Sequence, residues 1–199
     1  LAVTVVSALA AGLAVANIFG CVVTLTGSRP AGLLAASSLG LAHTFWQMAT
    51  VTETYTLTVA LLTAECWCLA AFARARNRTA LCGMLLFNGL GLANHVLALL
   101  TAPVLLVVVW YALRRKLVKP ADVAMAVGLW LVGSLPYTGL VVMEAVGSGQ
   151  FVGTLRLALF GRSFADEVLN TAVEARMLLT VVAFFVLSFP NLLLPAAGY

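Results

Sequence analysis

The residues best suited to chemistry in this 199-residue chain are an acid, two aromatics and several hydroxyls that interrupt a long uncharged run. The acid is Glu53, and Trp46 and Tyr55 flank it. Placing a carboxylate near hydrocarbon costs roughly 3 kcal/mol or more, so a glutamate at this depth is a candidate functional residue. The same stretch also fits a turn at the membrane interface, with Trp46 and Tyr55 as aromatic anchors. Residue types alone leave both interpretations open.

A second polar pair, Asn94 and His95, lies within the uncharged run 79–113. As one helix this run would be about 52 Å long, which exceeds a hydrocarbon core of ~30 Å. We therefore predict two short spans with Asn94 and His95 near the turn between them. A histidine that only completes hydrogen bonds in this turn is the alternative to a functional one.

A third candidate, Glu65, is predicted near the middle of its span without an ionic partner in the sequence. A carboxyl group in that position is either protonated or hydrogen-bonded to a polar side chain such as Asn88. Sequence spacing shows neither a metal-ligand motif, nor a glycine-rich phosphate loop, nor a Ser-His-Asp arrangement. The chemistry must therefore come from isolated polar groups brought together by helices.

Composition defines the elements that position these groups. The chain is 63% hydrophobic and 9% charged, with a mean hydropathy of +1.08, whereas a soluble domain carries about 25% charged residues. The sequence thus predicts one integral membrane domain over residues 1–199. Because the chain begins inside one hydrophobic run and stops just after another, we expect an internal fragment.

The predicted fold is all-α, a polytopic transmembrane bundle of about seven spans, two of them short. The segment 151–160 is amphipathic and is expected to lie along the membrane surface. The predicted spans are 1–28, 31–46, 54–73, the short pair within 79–113, 121–143 and 177–195.

Positive charge predicts the orientation of these spans. The net charge is +4, but eight of the eleven Lys and Arg residues fall in three short connections, at Arg29, 74–78 and 114–119. This distribution is typical of cytoplasmic loops rather than of a nucleic-acid surface. Alternation then places Glu53, the Asn94–His95 turn and the 144–176 loop together on the non-cytoplasmic face.

Several motifs resemble, in order and spacing, a family of multispan membrane proteins that is widespread in bacteria. Its animal relative is the transmembrane protein O-mannosyltransferase of the endoplasmic reticulum. The resemblance covers residues 7–162 and rests on Phe45-Trp46 with Glu53-Thr54-Tyr55, Gly89-Leu90-Gly91-Leu92-Ala93-Asn94-His95 with Pro103, Gly133-Ser134-Leu135-Pro136-Tyr137, and Phe160-Gly161-Arg162-Ser163-Phe164.

This resemblance implies a GT-C-type glycosyltransferase in the bacterial inner membrane. Such an enzyme moves a sugar, with mannose as one candidate, from a polyprenyl-phosphate carrier to a protein or glycan acceptor on the outer face. The family carries a Gly-Asp-Ser-Gly-Glu type stretch in its first outer loop, and nothing here matches it. The missing loop and the family's first span would precede residue 1, so this segment alone is not expected to be a complete catalyst.

Glycosyl transfer from a lipid phosphate requires a base, stabilisation of positive charge on the sugar, and cations for the departing phosphate. With the resemblance, these requirements make Glu53 and His95 the candidate catalytic residues. Glu53 would serve the acceptor or hold a divalent metal, the one cofactor left open besides the lipid-linked sugar. The candidate substrate-binding residues are Trp46, Tyr55, Asn94, Tyr137, Arg156 and Arg162, the arginines because their planar fork suits phosphate.

Two other classes of protein remain open at this stage. A transporter or flippase also uses membrane-embedded Glu, His and Asn, although the two halves of the chain show no convincing repeat. A non-catalytic membrane subunit would leave Glu53 and His95 unexplained. Depth separates these classes, because an enzyme needs its polar groups in one cavity near the outer edge and a transporter needs them along a path through the middle.

Overall fold

The computed structural model describes residues 2–51, 54–161 and 175–188, and every regular element in these ranges is helical. A 3₁₀ segment, Val96–Thr101, connects the fifth and sixth α-helices. The α-helices are α1 Ala2–Thr26, α2 Arg29–Gly40, α3 His43–Thr50, α4 Tyr55–Ala75, α5 Arg78–Asn94, α6 Ala102–Arg114, α7 Pro120–Ser148, α8 Phe151–Phe160 and α9 Ala175–Ser188.

Four helical stretches in the described ranges are long and apolar enough to cross a membrane, namely Thr4–Thr26, Tyr55–Ala75, Val96–Arg114 and Pro120–Ser148. The protein is therefore an all-helical integral membrane protein, as its composition predicts. The count of seven spans stays a prediction, since α5 has 17 residues and the predicted last span extends beyond the described part of α9.

Helices α1 and α4 run parallel and pack through small residues. Ala10, Ala14 and Ala60 belong to one buried cluster, and the Gly20 backbone lies against the Trp67 ring. Polar side chains then tie the two helices together, because Asn17 Nδ2 donates to the Ala60 carbonyl oxygen at 3.0 Å. Small residues and interhelical hydrogen bonds replace the hydrophobic effect as the basis of helix association in a membrane.

Helix α5 runs antiparallel to α4 and parallel to α7, so it occupies the centre of the bundle. Its contact with α7 is made at Gly89 and Gly133, where the backbones approach closely. A Cβ atom at Gly89 would overlap the Trp130 carbonyl oxygen, and one at Gly133 would lie 3.0 Å from the Leu90 nitrogen. The two glycines therefore set the distance between these helices.

The three basic connections lie together at one end of the bundle, here called the basic end. Arg74 at the end of α4 donates through Nε to the Thr24 carbonyl oxygen near the end of α1, at 2.6 Å. A buried cluster containing Phe72 and Leu81, with Val118 against it, joins the other two connections. The opposite end, here called the His95 end, carries Thr54 and His95. The membrane face to which each end belongs stays a prediction.

The structure corrects the prediction of one continuous span over residues 31–46. Helix α2 ends at Gly40, and the chain turns at Leu41 and Ala42 before α3 begins. Ala42 has an extended backbone with ψ 123° and is 1% exposed. Tertiary packing accounts for the break. The turn lets Ala42 and Phe45 join the α1–α4 cluster.

Two other predictions are confirmed. The 79–113 run folds back at His95, between α5 and the 3₁₀ segment. The amphipathic segment forms α8 with the predicted bounds, and Gly149, with φ of 66°, ends α7 just before it. Whether α8 lies along a membrane surface stays a prediction.

We expect Gly89→Ala to lower the free energy of unfolding by about 1–3 kcal/mol, because the added methyl group forces α5 away from the α7 backbone. Urea unfolding in detergent micelles measures the change. Gly128→Ala on α7 is the matched control, since a Cβ there meets nothing within 4 Å. Equal stability of the two variants would contradict close packing at Gly89.

Candidate functional site

The candidate site is built on the turn at His95. His95 has an extended backbone, with φ −156° and ψ 134°, and it follows the last residue of α5 directly. Its Nδ1 accepts the Leu97 amide proton at 3.2 Å and so caps the 3₁₀ segment. In the neutral ring the proton must then be on Nε2, which makes Nε2 the hydrogen-bond donor of this side chain.

Two contacts attach this turn to the start of α4. The rings of Tyr55 and His95 lie 5.7 Å apart between centroids, tilted by 37°. Asn94 Nδ2 donates to Thr58 Oγ1 at 2.8 Å and to the Thr54 carbonyl oxygen at 3.2 Å. The structure thus brings Tyr55, Asn94 and His95 together, although they come from two separate stretches of the sequence.

An apolar groove of about 370 Å³ begins beside this cluster. It runs along α4 from Tyr55 to Glu65, ten residues or about 15 Å at the rise of an α-helix. Leu100, which is 74% exposed, borders it, so the groove opens sideways from the bundle. The lining residues are Met48, Tyr55, Thr58, Val59, Leu62, Glu65, Phe87, Gly91, Leu97, Ala98, Leu100 and Thr101.

A hydrogen-bonded polar group closes the inner end of this groove. Glu65 is 4% exposed, and its Oε2 accepts from Asn88 Nδ2 at 3.1 Å. The same Nδ2 lies 2.9 Å from Thr101 Oγ1 and 3.0 Å from the Ala98 carbonyl oxygen. Trp130 Nε1 donates to Asn88 Oδ1 at 2.8 Å. Of the two alternatives that the sequence left open for Glu65, the structure shows the hydrogen bond to Asn88.

The other predicted site residues lie elsewhere in the structure. Trp46 on α3 is 63% exposed and lines a separate groove against α1. Tyr137 donates through its hydroxyl to the Ala158 carbonyl oxygen at 2.6 Å, which ties α7 to α8. Arg156 lies on the exposed side of α8, two residues before Ala158. Glu53 and Arg162 fall outside the described residues.

Sequence reasoning missed the partners that hold the site. Thr58 and Thr101 accept hydrogen bonds from Asn94 and Asn88, and Trp130 orients the Asn88 amide. Asn88, in contrast, carries a weak signal in the sequence, because a buried acid needs a hydrogen-bond donor on a neighbouring helix. Threonine and tryptophan are frequent in membrane helices for other reasons, so their residue types carry no comparable signal.

The geometry suits a ligand with a polar group and an apolar chain. Tyr55 lines one end of the groove and contacts His95 beside it, and the wall is otherwise formed mainly by aliphatic side chains. A concave apolar site with a few oriented polar groups is typical of small-molecule binding. Within residues 2–51, 54–161 and 175–188, no three His, Cys, Asp or Glu side chains come close enough to share a metal ion.

Comparison with known proteins gives one family match. The model for the protein O-mannosyl-transferase TMEM260 N-terminal domain matches residues 1–119, the stretch that holds α1 to α6 and the His95 turn. No curated protein and no solved structure matches the chain.

We expect Asn94 and Thr58 to be energetically coupled, because their bond fastens α5 to α4 at the His95 end. Asn94→Ala and Thr58→Val, alone and combined, form a double-mutant cycle measured by urea unfolding in micelles. A neutral hydrogen bond predicts a coupling of about 0.5–1.5 kcal/mol. Pairing Asn94→Ala with Thr138→Val on α7 provides the control, and additive effects of Asn94 and Thr58 would contradict their contact.

Proposed function

The chain belongs to the family of the protein O-mannosyl-transferase TMEM260 N-terminal domain, and on this premise we propose that it transfers a sugar from a polyprenyl-phosphate carrier to an acceptor hydroxyl. In this reaction the bond between the sugar's anomeric carbon and the phosphate oxygen breaks. A bond from the acceptor oxygen to that carbon forms, the acceptor proton passes to a base, and the carrier leaves as its phosphate. Mannose is the candidate sugar, and a protein or glycan is the candidate acceptor.

The observation that carries this proposal is the Tyr55–His95 pair at the end of an apolar groove. A polyprenyl-phosphate sugar has an apolar chain joined to a charged, hydroxyl-rich head. The groove offers about 15 Å of apolar wall to the chain, and the hydrogen-bonding side chains stand where the head would lie.

His95 suits the phosphate of the carrier because its Nδ1 is used by Leu97 N, which places the donor proton of the neutral ring on Nε2. Tyr55 and Asn94 would contact the sugar beside it. Glu53 is two residues before Tyr55 and is proposed for the acceptor or for a divalent metal. Arg156 and Arg162 are proposed as further phosphate ligands, and Trp46 and Tyr137 as outer parts of the substrate site.

We also propose a GT-C-like bundle of seven spans in the bacterial inner membrane, with the basic end in the cytoplasm. Positively charged loops favour that side. The His95 end would then face outwards, where lipid-linked sugars are presented. This orientation supports a transferase because the polar head of the carrier would meet Tyr55, Asn94 and His95 without crossing the hydrocarbon.

Glu65 favours one alternative, a transporter or flippase. It is buried about 15 Å along the helix axis from Tyr55, near mid-span, and acids at that depth often mark transport paths. Its hydrogen bond to Asn88 instead supports a role within the bundle, so transport is the second candidate. A non-catalytic subunit is the third.

The transferase proposal predicts that the full-length protein in membranes consumes labelled polyprenyl-phosphate sugar. We expect Glu53→Gln to lower transfer by about 10²-fold or more, the usual effect of losing an acid–base group. We expect a loss of similar size, about 10²-fold, for His95→Ala, because it removes the donor to the departing phosphate. His43→Ala is the matched control, because His43 is exposed at the start of α3. Expression and membrane insertion are compared for all variants.

Two results would contradict the proposal. Consumption of no donor by the unaltered protein would favour transport, which is then tested by following labelled lipid between the two leaflets of vesicles. Equal activity of His95→Ala and His43→Ala would remove His95 from the site.

The groove makes a separate prediction about the carrier. Leu62→Trp fills part of the groove, so we expect KM to rise by about tenfold for long-chain donors and much less for a short-chain donor. A chain that loses contact for about two methylene groups gives up roughly 1.5 kcal/mol, which is about a factor of ten in affinity. Val142→Trp on the exposed surface of α7 is the control. A KM rise that is independent of chain length would show that the chain does not lie in this groove.

A further inference from the structure

The 3₁₀ segment that follows His95 has little packing of its own. None of its residues is buried. Leu97, Ala98, Leu100 and Thr101 border the groove, while Leu99 borders a second cavity of about 390 Å³ between α5, α6 and α7. The segment is thus a thin wall between two cavities, and directed polar contacts contribute to its position.

Asn88 supplies the polar contacts of that wall. Its Nδ2 lies 3.0 Å from the Ala98 carbonyl oxygen and 2.9 Å from Thr101 Oγ1, which are separated by one helical turn of the segment. A further close approach to α5 is at Gly91, where a Cβ atom would lie 3.0 Å from Ala98 Cβ. The segment therefore packs against α5 at Gly91 and is hydrogen-bonded to α5 through Asn88.

The orientation of the Asn88 amide is fixed by its other neighbours. An indole N–H is only a donor, so Trp130 Nε1 must face Oδ1, which leaves Nδ2 facing the oxygens of Glu65, Ala98 and Thr101. Asn88 is 1% exposed, so water does not compete for these bonds. Glu65 and Trp130 therefore keep the donor end of the amide on the 3₁₀ segment.

The position of His95 depends on the same segment, because its Nδ1 accepts from Leu97 N. We propose that Asn88 is a positioning residue for His95, acting through the segment Val96–Thr101, with Glu65 and Trp130 setting the direction of its amide. The effect on catalysis rests on the proposed transferase function, whereas the effect on the segment does not.

A cross-linking reporter measures the position of the segment without reference to activity. In the pair Gly91→Cys and Ala98→Cys the two Cβ atoms would lie 3.0 Å apart, so the segment must shift outwards slightly to reach the ~3.5–4.5 Å of a disulfide. Cys21, Cys66, Cys68 and Cys82 are replaced by alanine in this background. The rate of disulfide formation under a mild oxidant in membranes reports how often the segment rests on α5.

In this reporter we expect Asn88→Leu to slow disulfide formation by at least about fivefold, with a smaller effect for Trp130→Phe, which removes only the N–H donor. The matched controls are Asn17→Leu, a polar-to-apolar change between α1 and α4, and Trp110→Phe, an exposed indole of α6. In the protein without the reporter, Asn88→Leu is expected to lower kcat by about 10- to 100-fold while KM changes little.

The outcomes separate the two proposals. The positioning role is overturned if Asn88→Leu leaves the rate of disulfide formation unchanged. It is also overturned if Asn17→Leu slows disulfide formation as much as Asn88→Leu does. If the unaltered protein transfers no sugar, the proposed function fails, and the cross-linking rates still decide whether Asn88 holds the segment. Should Asn88→Leu not fold, two other variants carry the same comparison. Trp130→Phe removes the bond to Asn88 Oδ1, and Thr101→Val removes the bond from Asn88 together with the one that Thr101 donates to the Ala98 carbonyl oxygen.

Discussion

The amide of Asn88 has two protons and lies among three oxygen atoms at 2.9–3.1 Å, on Glu65, Ala98 and Thr101. In a hydrocarbon environment each of these polar groups would cost several kcal/mol, roughly, if it were left without a partner. By meeting them at one point, Asn88 joins α4, α5 and the 3₁₀ segment, and through Trp130 it also engages α7. If any one of these elements moved away from Asn88, polar groups on the other elements would lose their hydrogen-bond partners.

Close helix packing makes this meeting possible. The Gly89–Gly133 contact brings α7 near enough for Trp130 to reach Asn88, and small residues between α1 and α4 hold α4 in place. Van der Waals contact and hydrogen bonding must supply this association, because lipid chains are as apolar as the side chains they would replace. Glycines and alanines that look like filler in the sequence therefore position the acid and the amide.

The sequence predicts much of this architecture because membrane helices obey strong local rules. Uncharged runs longer than a bilayer must fold back, and the polar pair Asn94 and His95 indicated where this one does. An acid within a span that has no ionic partner needs a hydrogen-bond donor, and for Glu65 this rule indicated Asn88 as a candidate. The break at Leu41 and Ala42 escaped prediction, since an apolar run that is interrupted by tertiary packing has the same composition as one that is not.

The site itself was predicted less completely. Tyr55, Asn94 and His95 meet, whereas Trp46 and Tyr137 belong to other parts of the molecule. Spacing along a helix indicates which residues share its face. It does not indicate which helices will be neighbours, and the meeting of Tyr55 with His95 depends on the antiparallel pairing of α4 with α5.

The sideways opening of the groove past Leu100 affects how its occupancy would be controlled. A ligand with a long apolar chain dissolves in the bilayer and would enter the groove from there, moving in two dimensions without leaving the lipid. Its mole fraction among the surrounding lipids, rather than its concentration in water, would then set the fraction of sites filled. Bulk lipid chains would compete for the same wall, so the composition of the membrane would act on this protein as a competitor does on an ordinary receptor.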